Sequence, residues 1–384
     1  MKKGLRIGIN LLPYTYGMHG GAEVYLMSLA KQLAIKYPEH AWVLVGRSEL
    51  LDRFEDGLFE KRTVAKEGLF ARRWGRIFYE QAFLWQALLR LGIDCFISNY
   101  VSPILAFCPT ITVVHDMRHE RYPQTMELLK LWYWRLMIPW SIRKSKCVVT
   151  VSHFSKQEIC KAYPFVGNKV FVTVEGVNPT LAKYVGLHRG QSGGFPFLLS
   201  VATFGKHKNL EILIRALAEL RDPPYSDWKL VMVGAARTPD ARENLRIVRK
   251  LVFELGQNER VVILGHVSAE ELASLYQRAQ ALVLPSLHEG FGLPIIEAQF
   301  FGCPVLCSNC AALPETAGDA ALFFDPFSLN SLVCAIRELA EDSDKRTRLI
   351  SDGYKNVKRF AWEKASDQMM QAIEFAIHQT GDRL

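Results

Sequence analysis

No stretch of the 384-residue chain holds the roughly 20 consecutive apolar residues that cross a bilayer, so a membrane-spanning helix is not expected. Short repeats and low-complexity tracts are missing, which removes solenoids and disordered arrays. Cysteine is unpatterned. Of eight residues, Cys307-Ser308-Asn309-Cys310 forms a C-x-x-C, but without a second pair or a nearby histidine doublet. No metal site is expected from it, and buried thiols in a reducing compartment are the better account. The glycine pattern G-x-G-x-x-G is absent too: Gly17, Gly20 and Gly21 follow the first strand at another spacing, which counts against a dinucleotide cofactor. Met1-Lys2-Lys3-Gly4-Leu5 runs directly into a strand with no signal-peptide pattern, so a cytoplasmic protein is expected.

What is present is apolar content of 49%, enough for well-buried cores, over a length that suits two or three domains. Charge is uneven. Residues 1–190 carry 26 Lys and Arg against 15 Asp and Glu, a net of +11; residues 191–384 carry 21 against 24, a net of −3; together they give +8. Two basic stretches in the positive half are interleaved with aromatics. One is Arg72-Arg73-Trp74-Gly75-Arg76-Ile77-Phe78-Tyr79; the other runs from Lys130-Leu131-Trp132-Tyr133-Trp134-Arg135 to Arg143-Lys144-Ser145-Lys146. Such a mixture suits either a helix with its aromatics turned inward or the headgroup zone of an anionic membrane. No nucleic-acid recognition motif accompanies the charge, and nucleic acid is not an expected partner.

Strand and helix signals alternate along the chain. Leu5–Asn10, Ala41–Val45, Asp94–Ser98, Thr110–Val114, Cys147–Val151 and Val170–Val174 read as buried strands. Helices are expected over Ala22–Tyr37, around Phe78–Leu91, and from a cap at Ser152 or Ser155 to Tyr163. Between Gly176 and Pro196 the alternation lapses into a glycine-rich linker holding Gly186, Gly190, Gly193 and Gly194. It restarts with strands Phe197–Val201, Lys229–Val233, Val261–Leu264, Ala281–Pro285 and Pro304–Cys307, a helix Asn209–Leu220, and a capping box at Ser268…Glu271; Ser328–His378 is mostly helical. The pattern predicts an α/β protein with two Rossmann-like domains, 1–180 and 195–360, their parallel sheets facing across a cleft. Ligands in such folds sit beyond the carboxyl ends of strands.

The chemically distinctive residues fall at such ends. In Glu289-Gly290-Phe291-Gly292-Leu293-Pro294-Ile295-Ile296-Glu297, a helix is expected to start at Pro294 with Glu297 in its first turn. The amides of Phe291, Gly292 and Leu293 would then form an anion seat at the helix N-terminus. Carboxylates on both sides could accept hydrogen bonds from vicinal hydroxyls, so a nucleotide sugar fits. Gly20-Gly21-Ala22-Glu23 offers a second close approach to an anion. His115-Asp116 follows a parallel strand directly, with Arg118 and His119 on the same loop. A lysine at a helix start opposes the helix dipole, so Lys208, taken as opening the helix after Thr203-Phe204-Gly205-Lys206-His207, implies a resident anion.

These segments resemble the retaining GT-B glycosyltransferases of family 4 (group 1), notably the mannosyltransferases of surface polysaccharide assembly. The resemblance spans almost the whole chain. It implies that Glu289 holds the donor sugar, Glu297 the ribose, and His115 the sugar near its reacting carbon. Lys208 matches the family's diphosphate lysine. Ala202 stands where an arginine is usual, and Lys206 where proline is common, a place from which it could compensate. Gly20, Gly21, Thr203, Gly265, His266, Val267, Gly290, Phe291, Gly292 and Leu293 join the implied donor set, with Asp116 and Arg118 on the acceptor side. The implied activity is metal-independent transfer of a hexose, with mannose from GDP-mannose the first choice, to a glycan or lipid-linked acceptor. No organic cofactor is expected, and an anionic membrane surface is a candidate partner. The family's last helix commonly crosses back, which would place 362–384 on the first domain. The rival readings are a nucleotide-sugar epimerase of the same fold and a non-catalytic nucleotide-sugar-binding subunit.

Overall fold

The computed structural model describes residues 4–15, 20–64, 73–186 and 195–381. Gly17, Arg72, Gly190, Gly193 and Gly194 lie outside them. The chain divides into two compact units, one of Met1–Met117, Trp132–Glu175 and Trp362–Leu384, the other of Arg118–Leu131 and Gly176–Ala361. Arg118–Leu131 thus groups with the second unit, where an unbroken 1–180 was expected.

The first unit is built on seven strands: β1 (Arg6–Asn10), β2 (Ala41–Gly46), β3 (Glu60–Thr63), β4 (Cys95–Asn99), β5 (Thr110–Val113), β6 (Cys147–Thr150) and β7 (Val170–Val172). They form one parallel sheet in the order β3-β2-β1-β4-β5-β6-β7. The inner strands β4, β5 and β6 are buried at every residue, as expected of a parallel sheet covered on both faces. Helix Trp362–Gly381 belongs to this unit. Ala365, Met369, Ala372, Ile373 and Ala376 recur at helical spacing and are fully buried. Asp367 pairs with Lys36 (2.6 Å) and accepts from the Tyr37 hydroxyl (2.6 Å), the Val174 amide donates to Gln368 (2.9 Å), and Phe171 packs on Phe375.

The second unit carries six strands: β8 (Phe197–Val201), β9 (Lys229–Val233), β10 (Val261–Gly265), β11 (Ala281–Leu284), β12 (Val305–Ser308) and β13 (Leu322–Phe324). All pair in parallel, in the order β10-β9-β8-β11-β12-β13. The chain winds outward one way from β8 and the other way from β11, the doubly wound plan whose switch point lies between those strands. The expected caps are present: Ser152 accepts from the Ser155 amide (3.0 Å), and Ser268 and Glu271 cap each other's backbone. β3, made of polar residues, and β13, a short apolar strand that was not expected, complete the two sheets. Among the described residues no helix is long and apolar enough to cross a membrane.

Candidate active site

Where the strand order reverses, the loops leaving β8 and β11 are drawn apart by crossovers running in opposite directions. A crevice remains at their carboxyl ends. The Leu287 amide donates to the His207 carbonyl (2.8 Å), stitching the two loops together. Two side chains 81 residues apart in sequence thereby meet: Lys208 Nζ lies 2.5 Å from Glu289 Oε1, with the side chains only 14% and 16% exposed. Ser286 Oγ donates to the same oxygen (2.8 Å), and its own carbonyl accepts from Ser308 Oγ (2.5 Å). A charge-assisted bond this sheltered is stronger than a surface pair, because little water screens it.

Lys208 does not open a helix. It closes a one-turn 3-10 segment, Lys206–Lys208; Asn209 follows in the left-handed region (φ 52°), and the helix begins at Glu211. The anion that its position implied is Glu289 itself. Asn209 holds that conformation by donating its side-chain amide to the Pro326 carbonyl (2.8 Å). Tyr100 and Ala311 are the other non-glycine residues with positive φ among those described. Tyr100 directly follows β4, and Ala311 precedes the Ala312 amide, which donates to the Glu289 carbonyl (3.4 Å). Such strain persists only where surrounding contacts over-determine the backbone.

The turn after Glu289 is fixed from several sides. Gly292 caps helix Leu293–Phe300 at φ 97°, and a Cβ there would meet Leu313 Cδ2 at 2.6 Å. Phe291 is buried edge-on against Phe360, and its carbonyl accepts from Thr316 Oγ1 (2.6 Å). The helix starts one residue earlier than expected, and Pro294 occupies its second position. Glu297 is therefore past the first turn, on the buried side. The Tyr276 hydroxyl donates to its Oε2 (3.0 Å), and burial pushes its carboxyl up to about 7.

Gly265 ends β10 at φ 69°, and its carbonyl accepts from the Gly234 amide (2.7 Å). A Cβ at Gly234 would overlap the Ala202 carbonyl, so the ends of β8, β9 and β10 close together only with glycine there. His266 is exposed and Val267 half-buried beyond the sheet edge; Thr203 and Lys206 stand exposed in the loop after β8.

In the first unit, His115 lies just past β5 with 7% exposure. Tyr25 meets its ring edge-on at 5.1 Å and Tyr100 at 5.8 Å, while its backbone carbonyl accepts from Ser155 Oγ (3.2 Å). Burial lowers its pKa to about 4, despite the Asp116 charge beside it, so the imidazole is neutral at pH 7. Its Nε2 is enclosed and takes no hydrogen-bond partner. Gly20 caps helix Gly21–Lys36 at φ 60°, and Glu23 is buried in the first turn. Asp116 belongs to this unit; Arg118, opening the short helix Arg118–Arg121, groups with the second.

Two family models cover most of the sequence: glycosyltransferase family 4 over residues 19–181 and glycosyl transferases group 1 over residues 189–356. The chain belongs to the family 4, group 1 glycosyltransferases. It is 29% identical over 276 residues to O-antigen chain mannosyltransferase B of Escherichia coli, covering 69% of this chain and 70% of that protein. It is 30% identical over 239 residues to O-antigen chain mannosyltransferase RfbU of Salmonella typhimurium, covering 62% and 63%. Sucrose-phosphate synthase from Thermosynechococcus elongatus superposes with a TM-score of 0.77 at 21% identity over 96% of this chain and 98% of that one. WaaG, a glycosyltransferase involved in lipopolysaccharide biosynthesis, gives 0.71 at 19% over 94% and 98%. The fold is the α/β GT-B fold.

In this glycosyltransferase the structure brings Lys208, Glu289 and the 290–293 turn together, whereas Glu297, on the helix that follows, is turned into the core against Tyr276. Ser286, Ser308, Thr316 and Tyr276 hold those groups in place, and no sequence signal marked them. A D-x-D triplet, Asp342-Ser343-Asp344, occurs elsewhere, where Asp342 caps helix Ser343–Val357 by accepting from the Lys345 amide (2.7 Å).

Proposed function

We propose that this glycosyltransferase is a retaining hexosyltransferase, moving mannose from GDP-mannose to a glycan or lipid-linked saccharide without a metal or organic cofactor. The Lys208–Glu289 pair carries the reading: cation and carboxylate meet at 2.5 Å beside a helix N-terminus. In the reaction the bond from the sugar's anomeric carbon to the diphosphate oxygen breaks. Lys208 and the amides of Phe291, Gly292 and Leu293 stabilise the charge that collects on the departing diphosphate. Glu289, released from Lys208, accepts a hydrogen bond from a sugar hydroxyl. The acceptor oxygen forms its bond on the face the diphosphate leaves, and the acceptor proton passes to the leaving phosphate oxygen, which retains the anomeric configuration. His115, neutral at pH 7, serves as a hydrogen-bond partner for the sugar rather than as a cation. The names of the two O-antigen relatives support mannose as the transferred sugar; Ala202, in place of the usual arginine, leaves Lys208 and Lys206 as the cations of that loop.

The test is release of GDP from GDP-mannose with and without a panel of saccharide acceptors, with the product anomer read by NMR. Acceptor-dependent release with the α-configuration kept is expected. Conversion of the nucleotide sugar with no acceptor would establish the epimerase instead. Nucleotide binding without turnover would establish a non-catalytic subunit, and an inverted product would refute retention.

A further inference from the structure

In the first unit, large apolar side chains that ordinarily avoid water stand exposed in three neighbouring segments. Trp74 and Phe78 are 47% and 58% exposed on helix Arg73–Ala82, where a spacing of four puts them on one face. Trp132 and Leu136, 70% and 71% exposed, repeat that spacing on helix Leu128–Lys144. Between the two helices the Trp74 ring lies edge-on to Tyr133, with centroids 6.3 Å apart, so the two faces adjoin. Gln81 on the first helix accepts from the Ile104 amide (2.9 Å), which brings in the third segment, where Ile104, Leu105 and Phe107 are 47%, 48% and 67% exposed.

Scattered apolar residues on a surface need no explanation, but a contiguous set of this size does. Two features identify the occupant. Indole rings are prominent, and indole favours the boundary between hydrocarbon and water. Cationic side chains accompany them: Arg135, next to Leu136, and Arg143 and Lys144, at the end of the same helix, are exposed, within a half of the chain that carries +11. A protein partner with an acidic rim would match the charge, yet it would leave the shallow spread of side chains over three separate segments poorly filled. A deformable anionic surface fills it at no cost in shape.

We propose that this face of the first unit docks on an anionic lipid bilayer, with Trp74, Phe78, Trp132 and Leu136 entering the headgroup zone and Arg135 and its neighbours meeting lipid phosphates. The inference is independent of the donor and of the transfer reaction. It assigns the two basic aromatic stretches of the sequence to one surface and makes a lipid-linked acceptor accessible in the plane of the membrane.

The full chain is sedimented with vesicles of phosphatidylcholine alone and of phosphatidylcholine mixed with phosphatidylglycerol. Retention is expected on the anionic vesicles only, weakening as salt is raised. The double variant Trp132→Ser, Leu136→Ser should lose at least about tenfold in partition, and Arg135→Glu about fivefold or more. Phe253→Ser, at a residue 75% exposed in the second unit, should bind as the parent does. Circular dichroism confirms that each variant is folded, and the tryptophan emission of the parent should shift to the blue only with anionic vesicles. Equal retention of the parent and the Trp132/Leu136 variant overturns the proposal, as does failure to bind. Concentration-dependent self-association without lipid, abolished by the same double variant, overturns it in favour of a second copy of the chain.

Discussion

Glu289 and Lys208 pair with each other, so a diphosphate reaching Lys208 must displace a carboxylate and then lie near it. Glu289→Gln keeps the side-chain shape and an oxygen for Ser286 while deleting the negative charge. With the phosphate some 5 Å from the carboxylate and an effective dielectric near 20, the opposing interaction is worth about 3 kcal/mol. Losing the preformed placement of Lys208 and screening by salt remove part of this. A net gain of roughly 1 kcal/mol is expected, or about fivefold tighter binding of free GDP. Lys208→Ala works the other way. It deletes a charge-assisted contact worth about 2 kcal/mol and leaves Glu289 facing the phosphate, so GDP should bind at least about thirtyfold more weakly. Titration calorimetry with GDP at two salt concentrations measures both, and the Gln advantage should shrink at the higher salt. Transfer by Glu289→Gln should nevertheless fall, since amide and carboxylate differ as acceptors for a sugar hydroxyl. GDP binding by Glu289→Gln that is unchanged or weaker would refute competition for Lys208.

Two predictions concern stability. Glu297 titrates near 7 in the folded protein, against the usual carboxylate value near 4 in the unfolded chain. The native state therefore holds its proton to higher pH, and stability should fall as pH rises from about 4 to 7 and then level off, by up to about 3 kcal/mol. Glu297→Gln should flatten this slope in thermal melts and raise the melting temperature at pH 8; an unaltered slope would place the titration elsewhere. Gly234→Ala introduces a methyl against the Ala202 carbonyl and should cost at least about 2 kcal/mol, seen as a melting temperature several degrees lower. A parental melting temperature would mean that the β8–β9 loops yield freely.

The sheet scaffold was legible where burial is complete. β1, β8 and β11 announce themselves because a parallel strand covered on both faces must be apolar throughout. β3 did not, because Glu60–Thr63 is an edge strand of polar residues held partly by the ion pair from Arg6 to Glu60 (2.6 Å). In the site, spacing pointed to the Glu289 turn, and a lysine expected at a helix start pointed to Lys208, although the helix begins only at Glu211. Their meeting was not legible, since it depends on β8 and β11 being adjacent, a non-local fact. The setting of Glu297 was misjudged for a local reason: moving a helix start by one residue turns a side chain by about 100° and can carry it from the dipole end into the core. Tyr276, its partner, lies on the helix that the Ser268 capping box announces, but nothing in the sequence links it to a residue 21 positions away. Trp74 and Trp132 show the opposite limit. Helical spacing places aromatics on one face, but only the fold decides whether that face is inside.

Helix Trp362–Gly381 completes the unit that Arg6 begins. During synthesis the first sheet can assemble early, yet the surface that takes Ala365, Met369 and Ile373 must wait until residues 362–381 leave the ribosome. Until then an apolar strip stays bare, so nascent chains should depend on chaperones late rather than early. Expression of the N-terminal half alone would be expected to yield an aggregating fragment, and a stop codon near residue 361 would damage the first unit and leave the second unit's residues intact.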